Sequence, residues 1–410
     1  MTQSHSGPAG TLHARATPAP GVVSFRASFP VRPDLVAGED VLARLVVRLL
    51  DKGTAHRTRF ALADALERVG ASLAFYDDGL RIGFQGRALR DDVDDVLALA
   101  AEMIVEPAFD LEEVGKAKAW LDAAVRESEE DTGDQADALL ARAVYAPGHP
   151  NYAEPFEAER ARLAAYAREH VTAFHSAHFP HGPLTLVLAG DVDGLPFDAL
   201  LGRFGARAAV DASGALPAAK REVPGASRKR LEEKTSADVR LGHGLSLRRT
   251  DADYLAFRAA VFALGGNFSA RLMQSVRDVQ GLTYGIGAAI YGVEPDHDGH
   301  IDIHVTLSPV NLERGIAATR SEIARLVDEG VSADELDEKK TTLAGTHRVG
   351  LSTSGGTAGA ILNAVEQGFG PDYVDTFADR VRALTPDAVN AALRTHLRPE
   401  GLHEAVAGTF

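Results

Sequence analysis

Apolar residues repeat along this chain with two periods, one near 3.6 residues and one of 2, and the switches between them mark out its elements. GVVSFRASFPV (21–31) alternates and reads as a strand. Residues 39–52 read as a helix, apolar over most of its surface. Within it, RLVVRLLDKGT (44–54) places Arg44 and Arg48 four apart, on one face. Either this is a solvated stripe, or the two guanidinium groups stand where a site once was. TRFALADALERVGASLAFYDDGLRIGFQGRA (58–88) gives an amphipathic helix and then two strands about a turn at Asp77–Gly79. Helices are expected over 90–104, 110–127 and from about Gln135 to Tyr145. ARLAAYAREHVTAFHSAHF (161–179) reads as one helix stopped by Pro180, and LTLVLAG (184–190) as a buried strand.

The second half repeats this order. DADYLAFRAAVFALGG and FSARLMQSVRDVQ are helical, LTYGIGAAIYG and GHIDIHVTL are strands, and helices are expected over 310–328, 332–347 and 355–368. PDAVNAALRTHL is a helix and GLHEAVAG a strand. At an offset of 218, six of twenty positions in 171–190 and 389–408 are identical, among them His178 and His396, and Gly190 and Gly408. A period this long is a domain duplication, not a solenoid. The pattern predicts an α+β protein of two related domains, each a mainly antiparallel sheet packed with helices. The expected boundaries are a flexible Gly- and Pro-containing lead-in at 1–19, domains at 20–200 and 236–410, and a charge-rich linker at 201–235 that includes GASRKRLEEK.

Composition narrows the function. A net charge of −15 argues against a nucleic-acid backbone or an anionic membrane as partner. There is no cysteine, so neither disulfide nor thiolate chemistry is open and any metal site must use His, Asp or Glu. The N-terminal residues have no apolar core of the secretory kind, and no apolar run nears the ~20 residues that span a bilayer. The expected location is cytoplasmic.

Several stretches could carry chemistry. In FSARLMQSVRDVQGLTYGIGAAI (268–290), Arg277 falls in the last turn of a helix, Gly281 is placed to end it, and Tyr284 opens the next strand. A guanidinium and a phenol across a short reversal are strong donors, suited to a peptide carbonyl or a developing oxyanion. The alternative is a surface cation favouring a helix C-terminus and an amphipathic core edge. His175, His178 and His181 recur every third residue, but Pro180 separates the last from the helix. His300, Asp302 and His304 share one face of a strand and could bind zinc, or could be a half-exposed strand beside an Asp-Gly turn. LSTSGGTAG (351–359) lacks the Lys of a phosphate loop and reads as a helix break. RESEEDTGD (126–134) reads as a base or cation site, or more simply as a solvated helix end.

Taken together, several segments from about residue 20 to 410 resemble the pitrilysin-type (insulinase-like) zinc peptidase family. LGGNFSARLMQSVRDVQGLTYGI is similar to that family's second-domain segment, of the form LGGGxSSRLFQxxREKxGLxYxV. DKGT, LERVGASLAFYDD and the Glu-Asp pair before the helix near 135 match the first domain. In active members a His-x-x-Glu-His helix precedes the Lys-Gly-Thr. Counting back from Lys52, the resemblance puts the two zinc histidines at Arg44 and Arg48, the general base at Val47, and the third ligand at about Val125. All four positions are replaced, so the resemblance implies no zinc in this chain. Arg277 and Tyr284 match the pair that the second domain contributes to the zinc site. The resemblance therefore implies the non-catalytic subunit of a heterodimeric metalloendopeptidase, half of a clam-shell chamber that takes unfolded peptides. Zinc and base would come from a homologous zinc-bearing partner. The alternative is a catalytically dead peptide-binding, structural or assembly protein of the same fold.

Overall fold

Alternation at residues 22–30 buries Val23, Phe25, Ala27 and Phe29 on one face of a strand, and that strand becomes the middle of a sheet. The computed structural model describes residues 1–31, 38–209 and 216–410. Its first sheet contains β1 (Gln3–Gly7), β2 (Gly10–Ala16), β3 (Val22–Pro30), β4 (Ser72–Asp77), β5 (Arg81–Leu89) and β6 (Leu184–Gly190), in the order β1-β2-β6-β3-β5-β4. The second contains β7 (Gly225–Arg230), β8 (Ala237–Gly244), β9 (Gly285–Tyr291), β10 (His300–Leu307) and β11 (His403–Gly408), in the order β7-β11-β8-β10-β9. With β1 set aside the two orders are the same. Among the described residues one parallel pairing also recurs in each sheet, β2 with β6 and β7 with β11. This shared topology is the duplication in three dimensions, and each sheet is mainly antiparallel with helices packed on it.

The two compact units are not consecutive lengths of chain. One comprises residues 1–124, 157–215 and 348–376, the other 125–156, 216–347 and 377–410. The helix Thr132–Val144 packs on β8 and β11 of the second sheet, although it precedes the second half. The helix Ser354–Glu366 packs on β3 and β6 of the first, where Ala358 and Ile361 meet Val187 and Ala189. A division at 200–236 therefore does not follow the units. Residues 1–19 are not a loose lead-in either. They form the β1–β2 hairpin, tied down by a bidentate ion pair from Arg15 to Asp375 at 2.6 and 3.0 Å. β7 lies inside the stretch expected as a linker, of which 210–215 fall outside the described residues.

The helix read over 161–179 is broken. Helices span Phe156–Ala165 and Arg168–His178, and the break at Tyr166 is held from two sides. The Tyr166 hydroxyl donates to the Gly38 carbonyl at 2.9 Å, and Lys118 takes the carbonyls of Ala164 and Tyr166. Each unit also repeats one polar lock. The buried His178 stands 3.8 Å from Glu39 at the start of the helix Glu39–Leu49, and the buried His396 bonds Asp253, the N-cap of the helix Tyr254–Gly265, at 2.5 Å. The identity of His178 and His396 across the offset thus has a packing reason. Among the described residues, no helix is long and apolar enough to cross a membrane.

Candidate functional site

The helix Glu39–Leu49 starts with Glu39 and Asp40, which suit the positive end of its dipole. It buries Val41, Leu42, Ala43, Leu45, Val46, Val47 and Leu49. Arg44 and Arg48 occupy the stripe left over, each partly exposed. Arg44 pairs with the carboxylate of Glu159. The Arg48 guanidinium lies 3.3 Å from the centroid of the Trp120 ring, a cation–π stack. Val47 is 7% exposed and Val125, on the helix Leu111–Glu130, 4%. The DKGT that follows is a tight reversal in which Gly53 takes φ 130°, a conformation L side chains avoid, and Thr54 donates to Glu102.

These four positions do not fit a metal. An arginine has no lone pair to give and stays protonated, and valine has no polar atom. Two cations and two alkyl groups would repel or ignore a dication. The vacated stripe is instead used for packing, through the Arg44–Glu159 pair and the Arg48–Trp120 stack. Arg48→Ala is expected to cost about 0.5–2 kcal/mol of stability. Trp120 is the only tryptophan in the sequence, so its emission reports the change directly. Unaltered emission together with unaltered stability would show the stack to be idle.

The second candidate pair lies in the other unit. Gly265 lets the helix Tyr254–Gly265 cross β9, since a Cβ there would fall 2.3 Å from the Ala288 amide nitrogen. The loop that follows is pinned from below. The buried Lys339 ammonium donates to the Ser269 carbonyl at 2.9 Å and the Ser269 hydroxyl at 2.8 Å. Arg271 grips Glu335 at 2.9 and 2.7 Å and the Gly330 carbonyl at 2.7 Å. Arg277 then lies on a π-helix, Met273–Val279, which Gly281 ends at φ 62°. Thr283 donates its hydroxyl to the Thr306 carbonyl at 2.5 Å and accepts from the Gly285 amide at 3.0 Å, fixing the bend that turns Tyr284 outward.

Tyr284 is 93% exposed, and among the described residues its hydroxyl has no hydrogen-bond partner. Arg277 is partly exposed, 3.8 Å from Asp278 and 5.4 Å from the centroid of Phe268, itself 74% exposed. The turn at Gly281 therefore puts Arg277 and Tyr284 on its two arms, without a hydrogen bond joining them among the described residues. Phe268 was not singled out in the sequence. Its signal was an aromatic in an otherwise small-residue loop.

The remaining candidates are structural. His175 donates to the Ile104 carbonyl at 2.7 Å with its ring edge against Phe109, and burial lowers its basicity. His300, Asp302 and His304 do share a face of β10, but a cation already sits among them. Arg240, opposite His304 on β8, stands 3.7 Å from Asp302 and bonds Asp137 at 2.5 Å. Burial pushes the Asp302 carboxyl up to about 7, against the pull of Arg240, and brings His300 down to about 4. The acidic run at 126–134 ends one helix and caps the next, through Asp131 to the Asp134 amide at 2.9 Å. LSTSGGTAG breaks between helices, as read, and opens the second with a Thr353 cap. Among the described residues no three His, Asp or Glu are placed to hold a metal.

Comparison with known proteins decides the family. The profile described as insulinase (peptidase family M16) matches residues 40–151, and that of the peptidase M16 inactive domain matches 166–343. The chain belongs to the M16 peptidase family. An uncharacterized zinc protease of Streptomyces coelicolor is 26% identical over 362 residues, covering 84% of this chain and 76% of that protein. A non-peptidase homolog of Helicobacter pylori is 21% identical over 373 residues, covering 89% and 84%. Among solved structures, an M16 inactive domain from Pseudomonas fluorescens superposes with a TM-score of 0.89 at 20% identity, over 100% of this chain and 98% of that one. The Escherichia coli periplasmic protease PqqL superposes with a TM-score of 0.81 at 15% identity, over 100% of this chain and 45% of its own. The M16 fold is therefore shared along the whole length, and the match at 166–343 is to the inactive type of domain.

Proposed function

We propose that this M16 chain is a non-catalytic subunit that lends Arg277 and Tyr284 to a homologous, zinc-bearing partner that hydrolyses peptides. The observation that carries this reading is Tyr284. Its phenol is held outward on a pinned turn, almost wholly exposed and, among the described residues, without a hydrogen-bond partner, while the partly exposed Arg277 guanidinium is carried on the other arm of that turn. A protein that had lost every part of the machinery would have no need to hold these donors ready. The filled positions Arg44, Val47, Arg48 and Val125 support the other half of the reading: the metal ligands and the general base belong to the partner. In the assembled enzyme the Arg277 guanidinium and the Tyr284 hydroxyl donate to the carbonyl oxygen of the scissile peptide. They donate more strongly as charge develops there. Unfolded peptides are the fitting substrates, since a folded chain does not offer its backbone carbonyls.

The test compares hydrolysis of a quenched fluorescent peptide by this chain alone, by its co-purified partner alone and by the two together. Activity only when both are present is expected. A pair that binds the peptide without cutting it would favour the rival, a peptide-binding or assembly protein of the same fold.

A further inference from the structure

In the first unit a cavity of about 510 Å³ has a cationic lining with no carboxylate among the described residues that form it. Sheet register explains the lining. Ser24 of β3 stands opposite Arg87 of β5, which stands opposite Ser72 of β4, and Arg26 stands opposite Gln85, which stands opposite Ala74. All six therefore project from one face of the sheet, and all six line the cavity. The helix Ser354–Glu366 packs on this face chiefly over β3 and β6, and its first turn becomes a wall of the cavity that β5 and β4 also line. The Ser354 hydroxyl meets that of Ser24 at 2.8 Å. Gly359 makes room for Arg26, whose guanidinium carbon is 3.2 Å from where a Cβ would stand.

Arg26 and Arg87 are diagonal neighbours across β3 and β5, a separation of roughly 7–8 Å or less that long side chains bridge. Neither has an acidic partner among the described residues, in a chain whose net charge is −15. Two like charges in one concavity repel each other until an anion is shared between them. The helix adds to the same field. Thr353 accepts from the Gly356 amide at 3.0 Å, which leaves the Ser354 and Gly355 amides of the first turn without an intrahelical acceptor, at the cavity wall. Guanidinium forks, hydroxyls and amides are all donors, and donors in this density match the several lone pairs of one oxyanion. The volume lies in the range of small-ligand sites, large enough for more than the anionic group itself.

We propose that this cavity binds an oxyanionic ligand, a carboxylate or phosphate group held between Arg26, Arg87 and the first turn of the helix Ser354–Glu366. The inference does not depend on the partner or the role of Arg277 and Tyr284. The shared chemistry has two sources, the C-terminal carboxylate of a peptide or the phosphate of a small molecule.

Titration calorimetry on the full chain at low salt tests it, with pyrophosphate, with an extended peptide as the free acid, and with the same peptide as the C-terminal amide. Saturable binding of pyrophosphate or of the free acid is expected, weakening as salt is raised. Arg26→Met and Arg87→Met are each expected to weaken it about tenfold or more. Arg68→Met, on the exposed side of another helix, should leave it unchanged. Pyrophosphate alone binding identifies the ligand as a phosphate, and acid binding without amide binding identifies it as a peptide end. Arg87 is exposed, so its replacement leaves the fold intact even if Arg26→Met does not fold. The proposal is overturned if neither pyrophosphate nor the free acid saturates at millimolar concentration. It is equally overturned if the Arg87→Met protein binds as the wild type does.

Discussion

Tyr284→Phe is expected to lower kcat of the assembled peptidase about 10²–10³-fold, the loss typical of removing one donor to a developing oxyanion. The substitution deletes a single oxygen from a side chain that is 93% exposed and makes no internal hydrogen bond among the described residues. Stability and assembly should therefore be untouched, and a thermal melt and a sizing profile check this. Arg277→Ala should fall in the same direction. Its guanidinium can bind the ground-state carbonyl as well, so KM is expected to rise too. A Tyr284→Phe complex that turns over at the wild-type rate would remove the phenol from the mechanism.

Asp302→Asn is expected to change how stability depends on pH, by an amount on the order of 4 kcal/mol between about pH 4 and 7. Burial raises the Asp302 carboxyl in the native state from 3.8 to about 7. The folded protein then holds this proton more tightly than the unfolded chain. Its contribution to stability is complete below about pH 3.8 and is lost as pH rises towards 7. His149 and His300, both brought down by burial from 6.5 to about 4, act with the opposite sign. Their contribution is present above 6.5 and is lost as pH falls through about 4. The wild-type profile mixes these slopes, so the informative quantity is the variant minus the wild type. Urea unfolding at several pH values should show that difference moving in favour of asparagine as pH rises through this window, then levelling off. A difference independent of pH would mean that Asp302 stays ionised throughout, compensated by Arg240.

The sequence made one half of the candidate site readable because helical spacing is strict. Arg44 and Arg48 had to share a stripe, and they do, with Val47 behind them in the core. Their partners were not readable, since Glu159 and Trp120 come from other helices far along the chain. The turn carrying Arg277 and Tyr284 was legible from Gly281. Its π-helix was not, because a shift from i→i+4 to i→i+5 bonding leaves no mark on residue type. The polar face of β10 was read correctly as a face. What was missing was Arg240, a cation supplied by a neighbouring strand.

Fold-level misses have similar causes. β7 is almost entirely exposed and ends in three cations, as suits an edge strand, and so it carries no apolar alternation. β1 and β2 are rich in small and polar residues and are held by backbone pairing and an ion pair. The exchange of the helices Thr132–Val144 and Ser354–Glu366 between halves is invisible to periodicity, which says that a helix has an apolar face but not which sheet it meets.

If this chain completes another chain's active site, that other chain should travel with it. Isolation of the native protein under mild conditions, with identification of whatever co-purifies in equal amount, tests it most directly. One homologous chain carrying His-x-x-Glu-His is expected, at a one-to-one ratio. Recovery of this chain alone, or with unrelated proteins only, would contradict it.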